Sequence, residues 1–471
     1  MRALAPGAPL PTIDATSNET ASTGATPPVN PELVRAPEVP GAKKLGSNVF
    51  EILVFRGLST PLALLIVILQ GRFLEPSGRG RFVLAVLTVS IFSRLLSQLG
   101  VAVANHMSQR EWDTPPELRP LAQRALGIAL GLGLLGSAAI IGIGELTPSV
   151  GGRTAAIAAT ALAPNVIWQT ASGILLGLAR IRAWNYVQLA SPLLTVIGTV
   201  VLVVALGGQV HAALAAWTGA HVVTAALALY LTRDLWLPLR MPSLVDGVSQ
   251  TLVRLALAMG ALQVIALIGY RAELFVLEAI DGVDAVGIYS IANQAAESMW
   301  LMAAAIATAI TAPVVREKEQ DAVALIRRSL LKSLLYTAGA GAVVAITAPF
   351  VIRFALGDAF RGARTPLLLL LPGAIAYAPV QILVVYLSVR RGRPRLSLAA
   401  GLVAMVVTIA ASVPLISAFG ASGAAGASAI GYACGALVAW LLFLRLSNGP
   451  AGPHRREPLG VVGSAPFGCV R

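Results

Sequence analysis

Long apolar runs set the pattern of this chain and recur from about residue 48 to about residue 445. Segments 125–144, 334–351 and 396–418 stay apolar or small, without the polar interruptions at helix or strand period that a soluble element shows. A helix of that length crosses the roughly 30 Å hydrocarbon layer of a bilayer. Helices also satisfy their own backbone hydrogen bonds there. The pattern predicts an all-α polytopic membrane protein of about twelve spans, near 48–71, 82–106, 122–144, 154–178, 185–206, 211–232, 253–278, 286–313, 331–353, 365–388, 396–418 and 423–445.

Composition agrees. Hydrophobic residues make up 56% of the 471 and charged residues only 12%, where a soluble domain carries about 25% charged. Mean hydropathy is +0.77. The net charge of +13 raises the question of nucleic acid, but the placement of the basic residues answers it. Alternate loops and span ends hold Arg110, Arg119 and Arg124, then Arg180 and Arg182, then Arg233, Arg240 and Arg254. The same set continues with 316–332 and 390–395. The opposite set is sparser: Arg72, Arg79 and Arg81, then Arg153, Arg271, and finally Arg353, Arg361 and Arg364. The positive-inside bias puts the first set and both termini in the cytoplasm and predicts a multi-pass protein of the cell membrane. No nucleic-acid partner is implied.

Residues 1–45 are rich in Pro, Ala, Thr, Ser and Gly and lack the apolar core and cleavage site of a signal peptide. They read as a disordered cytoplasmic tail, and 448–471 read the same way. Between them lie an N-terminal six-helix bundle, 46–235, and a C-terminal one, 236–447, divided by the loop at 233–250. Cys434 and Cys469 have no neighbours that imply a disulfide or metal site, and the four histidines are scattered. No metal and no cofactor is expected. A weak internal repeat joins the halves: Gly80-Arg81-Phe82-Val83-Leu84-Ala85 resembles Gly287-Ile288-Tyr289-Ser290-Ile291-Ala292. Two six-span halves inserted alike are related by an axis along the membrane normal, with a central cavity between them.

Charges inside spans are costly and mark a hydrated pathway or a buried ion pair. Span 1 carries Glu51 and Arg56. Span 2 carries Arg94, with Ser90, Ser97 and Gln98 on the same face. Span 7 opens with Arg254 and ends with Arg271, Glu273 and Glu278. Span 8 steps Tyr289, Asn293, Glu297 and Trp300 along one stripe. Two readings stand for Arg56 and Arg94. Either they snorkel to an interface or pair with Glu51 or Glu297, or they line a cavity and attract an anionic group, which guanidinium grips bidentately. Glu273 and Glu297 are open between a charge partner, a proton or cation site, and a hydrogen-bonding site for a polyhydroxyl ligand.

Several motifs occur in a telling order. Residues 72–82, Arg-Phe-Leu-Glu-Pro-Ser-Gly-Arg-Gly-Arg-Phe, lead to Gln98-Leu99-Gly100. Arg271-Ala272-Glu273-Leu274-Phe275 leads to Val286-Gly287-Ile288-Tyr289 and then Thr311-Ala312-Pro313. Residues 354–360 precede the leucine run 367–371, and 420–426 precede the last span. Over roughly 46–446 this order resembles the polysaccharide biosynthesis proteins, the Wzx-type flippases of the multidrug/oligosaccharidyl-lipid/polysaccharide exporter superfamily. The resemblance implies two six-helix bundles, alternating access, and helices 1, 2, 7 and 8 around the cavity. It further implies a non-enzymatic transporter of an undecaprenyl-pyrophosphate-linked oligosaccharide, with membrane lipids and polysaccharide assembly proteins as further partners. Arg56, Arg94, Gln98, Arg254, Glu273, Tyr289, Asn293 and Glu297 are the expected substrate-binding residues. The chain departs from the family in its long N-terminal tail and in Glu273, where aspartate is commoner. The alternatives are a cation-coupled multidrug exporter, which calls for an acidic, aromatic cavity, and a membrane polymerase or ligase, which calls for a large catalytic outward loop.

Overall fold

The computed structural model describes residues 42–108, 115–146, 151–238 and 247–447. The predicted tails, apart from residues 42–45, lie outside the described residues, as do the side chains of Glu51 and Arg56. The chain divides into two units, Met1–Val49 and Phe50–Arg471, and apart from the start of the first helix the helices and cavities discussed from here on belong to the second.

Helix is the only regular structure among the described residues. The first part comprises α1 (Ala42–Leu96), α2 (Gln98–Ser108), α3 (Pro115–Leu146), α4 (Gly152–Ala159), α5 (Leu162–Gly177), α6 (Ile181–Thr199), α7 (Val210–Leu231) and the single turn α8 (Arg233–Trp236). The second comprises α9 (Gly247–Asp281), α10 (Val283–Ser298), α11 (Trp300–Arg316), α12 (Glu319–Phe350), α13 (Arg364–Tyr377), α14 (Val380–Val384) and α15 (Pro394–Ser447). Short π-helical segments extend α6 at Val200–Ala205, α12 at Val351–Leu356 and α14 at Val385–Arg390.

Nine helical stretches among the described residues are long and apolar enough to cross a membrane. Two of them cross twice. At 1.5 Å per residue the 54-residue α15 would run about 80 Å if straight, but it leaves helical geometry at Gly420 (φ 54°) and folds back. Glycines fix the return. A Cβ at Gly423 would collide with the Leu415 carbonyl, one at Gly431 with Thr408, and one at Gly435 with Ala404, an antiparallel register centred on Gly420. The 55-residue α1 breaks likewise at Glu75 (φ 58°, ψ 171°), where Pro76 excludes the helical ψ of the preceding residue. Arg79 consequently donates to Gln70, nine residues earlier. With the pair α4–α5 as a further crossing, the count reaches the expected twelve.

Glu75, Gly151, Gly207, Gly282, Gly357 and Gly420 all have positive φ, and each sits at a turn between an odd and the following even crossing. One face of the molecule is therefore built of tight turns, and the opposite face carries the strongly basic loops. Some elements differ from expectation. Helix α1 begins at Ala42, inside the segment read as tail. The eighth crossing is one helical stretch, Val283–Arg316, with a local irregularity at Met299 between α10 and α11, where φ and ψ remain helical (−67°, −24°). The tenth breaks near Ala378-Pro379, where proline removes an N–H from the ladder. On the basic face, Arg180 pairs with Asp234 at 2.5 Å, tying the α5–α6 turn to α8. That hydrogen bond holds the Asp234 carboxyl below its usual range.

The buried apolar residues form two main clusters. One draws on 74–256 and the other on 274–443, joined by Leu84 and Leu87 from the second limb of α1. Conversely, Leu252 and Ala256 of α9 belong to the first. The second limb of α1 and the helix α9 thus cross between the clusters, which places their polar residues at the junction.

Candidate functional site

A cavity of about 500 Å³ opens at that junction. Both limbs of α1 contribute, with Gln70 from the first and Arg79, Ser90 and Arg94 from the second. Arg271 comes from α9, and Ser290, Asn293 and Gln294 from one face of α10. Beyond the four helices expected, α6 and α7 complete the wall with Thr195, Trp217 and His221. Three arginines face this space, and among the described residues no carboxylate lines it.

The three are held differently. Arg79 is 5% exposed; it donates to Gln70 Oε1 and, through Nε, to Ser290 Oγ at 3.4 Å, and lies 5.8 Å from the centre of the Phe82 ring. Its partners are neutral, so its charge is uncompensated by any described residue. Arg94 is exposed to the cavity and has no ion-pair partner among the described residues. Arg271 is neutralised: its two terminal nitrogens bond both oxygens of Glu297, at 2.7 and 2.6 Å. Asn293, with its amide oriented to satisfy its neighbours, accepts from Arg271 and donates to Glu297 at 3.3 Å. Bidentate pairing of this kind fixes both side chains as well as their charge.

Behind the Arg271–Glu297 pair lies an aromatic group. Tyr270, Trp300, Tyr377 and Tyr432 have ring centroids 5.3–6.3 Å apart. The Tyr270 and Tyr377 hydroxyls lie 3.0 Å apart, and Tyr432 donates to Glu297 at 3.5 Å. Glu273 and Tyr289 are both fully buried. The Tyr289 hydroxyl contacts Glu273 at 3.4 Å and Ser428 at 3.1 Å, while the other Glu273 oxygen has no partner among the described residues.

The expected site residues therefore separate. Arg94 and Asn293 line the cavity. Glu297 supports its wall through Arg271, not through Arg94. Glu273 and Tyr289 lie in the core behind it and do not line the cavity. Gln98 is half-buried at the start of α2, and Arg254 is exposed on α9; neither lines the cavity. Arg56 falls outside the described side chains. The sequence reading missed Gln70, Arg79, Arg271 and His221 as lining residues; it put Arg79 in the segment before span 2, and it placed Arg271 within span 7 without making it a binding residue. Arg79 follows Pro76-Ser77-Gly78, a turn-like stretch, and only the resumption of helix immediately after Glu75 turns it inward.

A model of the family described as "Polysaccharide biosynthesis protein" matches residues 45–318, more than half of the chain. The chain belongs to that family. Comparison with curated proteins gives no match. Among solved structures, an inward-facing multidrug resistance MATE family transporter of the MOP superfamily is similar with a TM-score of 0.69 at 17% identity, over 83% of this chain and 94% of that one. The lipid II flippase MurJ, in an inward closed conformation, gives a TM-score of 0.66 at 14% identity, over 84% and 89%. A MOP superfamily transporter from Pyrococcus furiosus, whose structure is described by a reversed polarity of its binding pocket, gives 0.51 at 17%, over 84% and 94%. The family member thus has the polytopic MOP-superfamily fold and is a multi-pass membrane protein.

Proposed function

We propose that the protein flips an undecaprenyl-pyrophosphate-linked oligosaccharide across the cytoplasmic membrane by alternating access, for cell-surface polysaccharide. The observation that carries this reading is a cavity faced by three arginines and, among the described residues, by no carboxylate. A diphosphate is the natural counter-charge for Arg79 and Arg94, because guanidinium stays charged at any relevant pH and pairs bidentately with phosphate oxygens. Ser90, Ser290, Asn293 and Gln294 supply donors and acceptors to sugar hydroxyls from the same walls. A cationic drug would meet the opposite field. In this reading the tight-turn face is outward, the basic face cytoplasmic, and the lipid-linked oligosaccharide passes between them with its tail in membrane lipid. Polysaccharide assembly proteins are the further partners.

Deletion of the gene, followed by analysis of lipid-linked sugars and surface polymer, tests it. The expected outcome is loss of surface polymer with repeat units accumulating on the cytoplasmic leaflet. Unchanged lipid-linked sugars together with new sensitivity to cationic drugs would overturn it and put the drug exporter in its place.

A further inference from the structure

The wall between the cationic cavity and the membrane has a second hollow on its other side. It holds about 290 Å³ and lies between the first limb of α1, α10, the end of α12 and the start of α13. Its lining is apolar except for Ser298 and Thr347. Both hydroxyls donate to their own helices, Ser298 to Ala295 at 2.7 Å and Thr347 to Val343 at 2.7 Å, so neither offers a polar handle to a ligand. One end is closed where α1 comes in at Gly71. A Cβ there would meet the side chains of Leu356 and Ile291 at 2.5 and 3.0 Å.

The two hollows share one residue, Val67 of α1, which lines both. Helical spacing makes α10 a partition as well: Ser290, Asn293 and Gln294 face the cavity, while Ile291, Ala292 and Ala295 face the groove. A molecule with an anionic head beside Arg79 and Arg94 and a single long apolar chain would span the two compartments by passing Val67. We propose that this groove seats the isoprenoid chain of a polyprenyl diphosphate while its diphosphate occupies the cavity. The inference rests on the flippase reading and differs from it in one respect, taking the part of the tail next to the diphosphate out of membrane lipid and into the protein. One narrow groove takes one chain, which favours a polyprenyl lipid over a two-chain phospholipid.

The groove positions the tail more than it binds it. A chain leaving the bilayer for an apolar groove exchanges one apolar medium for another, so packing is the main gain. Blocking the groove should therefore cost transport far more than it costs affinity for the diphosphate.

The test uses the full-length protein in liposomes with a polyprenyl diphosphate that carries a photoreactive diazirine on an isoprene unit near the head. Adducts should map to 64–68, 291–298 and 344–352, and unlabelled polyprenyl diphosphate should compete them while excess phosphatidylglycerol does not. Ala295→Trp should remove the groove adducts and surface polymer while changing polyprenyl diphosphate affinity less than about threefold. Val343→Trp, at a position 60% exposed on α12 and outside the groove, should change neither. Ala292→Leu is a milder blocking variant should Ala295→Trp fail to fold. Equal competition by phosphatidylglycerol makes the groove a phospholipid site and overturns the proposal. So do diphosphate-competed adducts confined to the cavity or to another surface, which leave the flippase reading intact. Absence of any diphosphate-competed adduct overturns the flippase reading itself.

Discussion

Arg94 and Arg79 carry the same charge but are prepared for different tasks. Arg79 is buried and oriented by Gln70 and Ser290, whereas Arg94 faces the cavity with no carboxylate to hold it. Arg94→Ala should abolish surface polymer while the protein still inserts at normal levels, checked by membrane immunoblot beside a polymer assay. Arg94→Lys should retain part of the export, since ammonium keeps the charge and loses the planar fork. Normal export in the alanine variant would remove Arg94 from the site. Glu297 plays the opposite part, because its role is to neutralise. Glu297→Gln leaves Arg271 without its counter-charge; breaking a fully buried pair costs about 3–5 kcal/mol, and this one, whose side chains are 22% and 13% exposed at the cavity wall, should cost less. The unfolding temperature in detergent should fall accordingly and should recover in the double variant Glu297→Gln/Arg271→Gln. An equally destabilised double variant would show that the pair matters by shape and not by charge. Sequence pointed to Arg94 and Asn293 because a charge or amide deep in an apolar run is too costly to hold against lipid and has to face a polar space. It misplaced Arg79 because that residue sits within a few residues of a hydropathic boundary. Its direction depends on how the chain turns there, which hydropathy does not encode.

At the scale of elements, the second limb of α1 meets α10 without intervening side chains. A Cβ on Gly80 would strike the Val283 carbonyl, and one on Gly287 would strike the Pro76 carbonyl. These are the glycines that begin the two similar hexapeptides, so the sequence likeness marks a reciprocal backbone contact on the tight-turn face. Helices approach this closely only through small residues. Gly287→Leu should therefore force the two helix starts apart on that face. With Cys434 and Cys469 both replaced by serine and Ser90→Cys placed in the cavity, the glycine variant should label faster with a membrane-impermeant thiol reagent added from outside. Unchanged labelling would mean that this contact does not close the cavity. Hydropathy made the crossings legible because each needs only length and apolarity. It did not reveal the local irregularities at Met299 and Ala378, nor the tightness of the turn at Glu75. Those depend on local backbone geometry at residues whose neighbours are as apolar in a regular helix as in an irregular one.

For the whole molecule, the sign of the cavity decides between ligand classes that the shared fold leaves open. The fold is common to structures described as multidrug transporters and as a lipid II flippase, so architecture alone does not select. Charge does, because the second limb of α1 brings Arg79 and Arg94 to the junction, while of the acidic residues of α9 and α10 Glu273 is buried in the core, Glu297 is paired with Arg271, and Glu278, Asp281 and Asp284 lie by the α9–α10 turn outside the cavity lining. An arginine in this setting contributes through charge-assisted hydrogen bonds, each worth about 1.5–3 kcal/mol. Arg79→Gln and Arg94→Gln should therefore each weaken polyprenyl diphosphate binding by about ten- to a hundredfold. The glutamines keep most of the side-chain volume and leave the Arg271–Glu297 pair untouched, so the stability cost should be small. Affinity measured on the purified full-length protein in nanodiscs reads the effect directly. The uncharged polyprenol should bind the double variant and the unaltered protein alike, since its chain has no charge to lose. If neutralisation left diphosphate affinity unchanged while a cationic dye began to bind, the positive cavity would be excluding cations without recognising phosphate, and the substrate would have to be sought among neutral lipids.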